Sequence, residues 1–126
     1  MDFIFYTLLA LFVLWMLYKQ FAPVKGMRNL TAEQFQEESK GNKVIDVREV
    51  HEYKRGHIAG AVNIPLSQLP KRLGEIPTDK KVFLYCQSGM RSKQAAKLLS
   101  RNGYTNLANL HGGISAWSGP TQTPNQ

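Results

Sequence analysis

From Phe3 to Tyr18 the chain reads FIFYTLLALFVLWMLY, with Thr7 as the only polar interruption. The run is apolar on every side, so it predicts a helix with no polar face rather than an amphipathic surface helix. Residues 3–22 span ~30 Å as a helix at ~1.5 Å per residue, the depth of one hydrocarbon core. Tyr6 near one end, and Trp15 and Tyr18 near the other, stand where interfacial aromatics gather, and Lys19 can snorkel to headgroups. A leader peptide needs a basic start and a small-residue cleavage site, and Met1-Asp2-Phe3 with no A-x-A pattern offers neither. A buried core helix would need a larger body around it. The expectation is a single transmembrane helix over 3–22. Lys19, Lys25 and Arg28 follow the span and no basic residue precedes it, so the positive-inside rule puts the remainder in the cytoplasm.

After that run the pattern changes to short apolar stretches separated by polar turns. Residues 23–29 (PVKGMRN) read as a linker. Thr31 with Gln34 makes a capping box for a helix running to about Lys40 and stopped by Gly41. Val44–Val47 is a β-branched strand, Glu49–Arg55 two helical turns ended by Gly56, and Ala61–Ile64 a second strand closed by Pro65. Leu66, Leu69 and Leu73 share a helical face that Pro70 should bend or split. The run Val82-Phe83-Leu84-Tyr85 predicts a central buried strand. Ser92–Asn102 follows as a helix with Ala95, Ala96, Leu98 and Leu99 inward and Gly103 as its stop. Asn106–Leu110 is a last strand, and His111-Gly112-Gly113 turns into a short helix holding Trp117. No apolar residue occurs after Trp117, so 119–126 is expected to be a disordered tail beyond a domain over 30–118. There are no internal repeats. Strands alternating with helices imply an α/β domain, a parallel sheet covered on both faces.

Composition sharpens this division. Residues 1–22 hold 18 hydrophobic residues, while the other 104 hold 36, so an overall 43% averages two unlike pieces. Asp2 and Lys19 cancel within the front segment, which leaves the whole +7 on the body. The length excludes a multidomain enzyme, and a single cysteine, Cys86, excludes an internal disulfide. The Lys and Arg residues are scattered from Lys25 to Arg101 with no aromatic platform between them, which argues against a nucleic-acid partner. The charge suits an anionic leaflet or an anionic small substrate instead. His51 and His111 have no Cys or carboxylate at ligand spacing, so no metal or other cofactor is expected.

In an open α/β sheet, ligands sit beyond the carboxyl ends of the strands. That rule points at Cys86-Gln87-Ser88-Gly89-Met90-Arg91-Ser92, between the buried strand and a helix. Gly89 permits a backbone turn that a β-carbon forbids, successive N–H groups can form an anion nest, and the helix start adds partial positive charge. Arg91 adds a full one. Together they favour a negatively charged sulfur. A free cysteine is most often a buried structural residue, but strand, glycine, arginine and helix start together outweigh that reading and make Cys86 a candidate nucleophile. Four residues separate Cys86 from Arg91. A loop that wraps a tetrahedral oxyanion needs more room, whereas this one suits an anion one or two atoms across, such as a persulfide on Cys86.

These residues resemble the rhodanese family of sulfurtransferases. The resemblance runs from about Leu30 to Trp117. It is carried by Val44–Arg48, Glu52-Tyr53, Gly56–Ala61 and Asn63–Pro65, then by Cys86–Ser92, and finally by Leu110–Gly113 with Trp117. It implies a rhodanese-like doubly wound fold and transfer of a sulfane sulfur through a persulfide on Cys86, from a small anionic donor such as thiosulfate to a thiol or protein-cysteine acceptor. The cradle would be the backbone of Gln87, Ser88, Gly89, Met90, Arg91 and Ser92. Arg91 could face the site or bond the loop carbonyls. Asp46 and Arg48 are read as braces of the loop, His57 as a structural hydrogen-bonding residue, and Trp117 as a closing edge of the core. Related phosphatases have five residues between Cys and Arg, so a phosphatase or arsenate reductase is the weaker alternative. A membrane-tethered adaptor without turnover is the other.

Overall fold

The computed structural model describes residues 2–124. The apolar run is one continuous helix, α1 (Asp2–Phe21), with none of its residues buried against the rest of the chain. It is long and apolar enough to cross a membrane. Strand β1 (Met27–Leu30), helix α2 (Ala32–Glu38), strand β2 (Val44–Asp46), helix α3 (Val50–Arg55) and the short strands β3 (His57–Ile58) and β4 (Val62–Asn63) follow. Two 3₁₀ stretches, Leu66–Lys71 and Leu73–Glu75, lead to β5 (Val82–Tyr85), α4 (Met90–Arg101), β6 (Leu107–Leu110), a 3₁₀ turn at Gly113–Ala116 and β7 (Thr121–Gln122).

Five strands form one parallel sheet in the order β1-β6-β5-β2-β4, with β5 at its centre as its apolar run predicts. Side chains alternate across a strand. Val82, Leu84 and then Cys86 therefore face one layer, with Ala95, Ala96 and Leu99 of α4, Leu69 and Ile76. Phe83 and Tyr85 face the other, with Phe35 of α2, Ala108 and Leu110. Phe35 meets the Phe83 ring edge-on at 5.4 Å. This alternation is what sends the cysteine sulfur toward the start of α4.

Helix α2 begins as its capping box requires. Thr31 accepts from the Gln34 N–H at 3.2 Å, and the Thr31 N–H donates to Gln34 Oε1 at 3.0 Å. Thr31→Ala is expected to lower stability by about 1 kcal/mol, read from urea unfolding of the full chain in detergent.

Three expectations are corrected. The segment read as linker contains most of β1, paired residue by residue with β6 (Met27 to Leu107, Leu30 to Leu110), and Val24 is buried in the core. This strand shows no periodicity because it is an edge that buries only Leu30. The tail is not loose where it is described: β7 pairs antiparallel with β3, and the Ala59 N–H donates to the Pro120 carbonyl at 3.1 Å. Backbone bonds hold it, which hydropathy does not register; residues 125 and 126 lie outside the described range. The leucine-spaced segment is 3₁₀ rather than α. Pro70 lacks an N–H and its ring blocks the carbonyl four residues back, so the α ladder cannot form.

Candidate active site

Cys86 is the first residue after β5 and is 1% exposed. The Gly89 N–H donates to its Sγ at 3.0 Å, and Ser92 Oγ lies 3.4 Å away. Gly89 caps α4 with φ +105°, a conformation that admits glycine and few other residues. Among the described residues, no protein acceptor takes the N–H of Gln87 or Ser88. The first-turn N–H groups of α4 are likewise unpaired, as at any helix start. The loop thus presents several backbone donors around one sulfur. Met90 stands on the rim, 54% exposed.

The loop is held from below. Its Cys86 and Gln87 carbonyls accept from the N–H groups of Ile114 and Ser115 at 2.9 and 3.2 Å. Ser115 Oγ also donates to the Gln87 carbonyl and accepts from Gln87 Nε2. Gly113 sits against this backbone: a β-carbon there would come within 2.5 Å of the Cys86 carbonyl oxygen.

Asp46 and Arg48 meet at the end of β2, both buried. Arg48 Nε and Nη2 reach the Asp46 carboxylate at 2.7–3.1 Å, Nη2 also donates to the Gly56 carbonyl at 2.7 Å, and Nη1 to Gln87 Oε1 at 3.3 Å. One guanidinium therefore ties β2, the end of α3 and the loop together. Asn63 adds to this brace by donating to the carbonyls of Asp46 and Arg48, both at 2.9 Å. His57 stacks on Tyr53 at 3.7 Å, with Nδ1 3.1 Å from the Tyr53 carbonyl. Trp117 packs edge-on against Phe35 at 6.1 Å and donates to the Pro120 carbonyl.

Arg91 makes its hydrogen bonds to a carboxylate rather than to the loop carbonyls, and that carboxylate lines the cleft beside the loop. Its guanidinium forks onto Glu52 of α3, Nη1 to Oε1 at 2.6 Å and Nη2 to Oε2 at 2.9 Å. A bidentate carboxylate outcompetes neutral carbonyls for that fork. In the sequence Glu52 stands out only as part of the family pattern, and its pairing with Arg91 is not visible there: it lies 39 positions from Arg91, and its visible local role is the capping contact with the Glu49 N–H. The Arg91 hydrogen bonds, working against partial burial, hold the Glu52 carboxyl down to about 2. A depressed carboxyl stabilises the fold above the usual carboxylate range, and that contribution is lost as pH falls through about 2. Glu52→Gln is expected to cost about 1–2 kcal/mol at neutral pH, the pair being partly exposed. The gap from wild type should narrow steadily on acidification below the usual carboxylate range, measured by urea unfolding over a pH series.

Beside the loop lies an open cleft of about 330 Å³ lined by Arg48, Glu52, Arg55, Gly56, Gln87 and Ile114. Arg48 and Arg91 are neutralised by Asp46 and Glu52, while Arg55 has no carboxylate partner among the described residues.

A central parallel sheet flanked by helices, with a strand–cysteine loop–helix site at its carboxyl edge, defines a rhodanese-like domain, and that family matches residues 31–120. The chain belongs to the rhodanese family. The uncharacterized protein YqhL of Bacillus subtilis is 46% identical over 110 residues, 87% of this chain and 87% of its own length. Thiosulfate sulfurtransferase PspE of Escherichia coli is 41% identical over 70 residues, 54% of this chain and 67% of that protein. A rhodanese-related protein from Thermoplasma volcanium superposes with a TM-score of 0.70 at 35% identity, covering 75% of this chain and 97% of its own.

Proposed function

We propose that this chain is a membrane-tethered sulfurtransferase in which Cys86 carries the sulfur. The thiolate attacks the outer sulfur of a donor such as thiosulfate. A new S–S bond forms to Cys86, and sulfite leaves with the electron pair of the broken one. A thiophilic acceptor, cyanide in an assay or a thiol in the cell, then attacks the outer sulfur and releases the Cys86 thiolate. The two half-reactions predict ping-pong kinetics. The observation that carries this reading is the Gly89 N–H at 3.0 Å from Sγ, in a loop whose neighbouring N–H groups are unpaired. Such a nest holds a small anion through fixed dipoles. Arg55 in the adjoining cleft supplies a free cation for the sulfonate end of the donor. Asp46, Arg48 and Asn63 keep the loop in register.

Helix α1 is the tether, and the domain runs from Val24 through the β3–β7 pair. Lys19, Lys25 and Arg28 favour a cytoplasmic domain, where a lone thiol stays reduced. Mass spectrometry of the full chain after thiosulfate treatment tests the chemistry. A gain of one sulfur atom located on Cys86 is expected. An unmodified Cys86 would leave the fold as a docking module.

A further inference from the structure

The excess charge that looks scattered along the sequence is gathered by the fold. Segments 18–28 and 90–101 contain Lys19, Lys25, Arg28, Arg91, Lys93, Lys97 and Arg101 and no acidic residue. The rest of the chain has nine basic and nine acidic residues, so the whole net +7 resides in these two segments. They meet in space. Lys93 Nζ donates to the Gln20 carbonyl at 3.1 Å, Lys97 Nζ to the Lys19 carbonyl at 3.3 Å, and Ser100 Oγ to the Lys25 carbonyl at 2.9 Å. The last carbonyls of α1 have no partner within the helix and carry its negative dipole end, which suits lysine donors. Lys93, Lys97 and Arg101 recur every four residues and so line one side of α4.

Arg28 and Arg91 are paired with Glu38 and Glu52. The other five cations have no carboxylate partner among the described residues. Several of them surround an open cavity of about 340 Å³ lined by Tyr18, Lys19, Lys25, Lys97, Ser100 and Arg101. Like charges around one cavity repel unless an anion sits among them. Its height is set by the chain: α1 ends at Phe21 and Val24 is already in the core, so the connection reaches at most ~11 Å. The cavity therefore lies where α1 leaves the hydrocarbon, at the level of lipid phosphates, with Tyr18 as an interfacial aromatic beside it.

We infer that the α1–α4 junction binds the phosphate of an anionic phospholipid headgroup and so seats the domain against the leaflet. This rests on reading α1 as a membrane anchor. The test uses the full chain in nanodiscs of phosphatidylcholine alone or with phosphatidylglycerol, and reads acetylation rates of individual lysines. Phosphatidylglycerol is expected to slow labelling of Lys25, Lys93 and Lys97 at least about fivefold, the effect of roughly one surface cation's attraction to anionic lipid. Lys54 and Lys80, outside the junction, should be unaffected. In Lys97→Gln/Arg101→Gln the slowing at Lys25 and Lys93 should disappear. Equal slowing by inorganic phosphate in phosphatidylcholine discs would show an anion site that is not a lipid seat. Uniform slowing of every lysine would reduce the effect to general surface attraction, and either result overturns the inference. Incorporation into both discs with labelling indifferent to phosphatidylglycerol removes the seat but keeps the anchor. Failure to enter either disc removes both.

Discussion

Cys86→Ser is expected to lower thiocyanate formation from thiosulfate and cyanide by about a thousandfold or more, without loss of the fold. The magnitude follows from removing the covalent relay, since a serine hydroxyl is a far weaker nucleophile and cannot shuttle sulfur as a disulfide-like bond does. The fold should survive because the smaller oxygen still finds the Gly89 N–H and the Ser92 hydroxyl, now at 3.0 and 3.4 Å from the sulfur. The readouts are initial rates at saturating thiosulfate and the unfolding midpoint of both proteins in detergent. Comparable rates would remove Cys86 from the chemistry and with it the proposed function.

Gly113→Ala should come next in severity, although residue 113 need not touch any substrate. Two effects add. Its φ of +64° is left-handed, which costs a non-glycine residue roughly 1–2 kcal/mol. The new β-carbon would also stand 2.5 Å from the Cys86 carbonyl oxygen and the Gln87 carbonyl carbon, both backbone atoms that no rotamer change can clear. Relief requires the loop to rise away from Ile114 and Ser115. A displacement near 1 Å at the reacting atom costs about a hundredfold in rate. Gly112→Ala is the control: there the close approach is to the Ala116 side chain at 3.0 Å rather than to the loop backbone. A strong loss of kcat for Gly113→Ala and a milder one for Gly112→Ala is expected. Equal effects would mean that the loop does not depend on its floor.

What hydropathy could read is what burial dictates. The run Val82–Tyr85 is apolar because both of its faces are covered, and α4 shows its inward Ala95, Ala96 and Leu99 for the same reason. The loop after Tyr85 was equally legible, since the end of a central strand is set by topology and its glycine by backbone geometry. Strands β1 and β7 were not legible. They are held by backbone bonds at the margins, where only Leu30 of β1 and neither residue of β7 is buried. The Arg91–Glu52 pair was hidden for another reason. Each residue has a sufficient local explanation, and only tertiary folding brings them together across 39 positions. Paired glycines at 112 and 113 were visible, but what they make room for is a backbone far away in sequence.

The Arg91–Glu52 pair also divides capture from retention. With the loop's own cation paired to Glu52, the grip on sulfur in the proposed reaction would rest mainly on peptide dipoles, whose field fades faster with distance than that of a charge. A dipolar nest cannot draw a donor out of solution; it acts only on an atom already in place. Among the described residues that line the cleft, long reach belongs to Arg55. Raising the ionic strength should therefore weaken donor encounter through Arg55 while leaving the lifetime of a sulfur already on Cys86 nearly unchanged. On the proposed function, loading should be sensitive to the medium and the loaded state insulated from it.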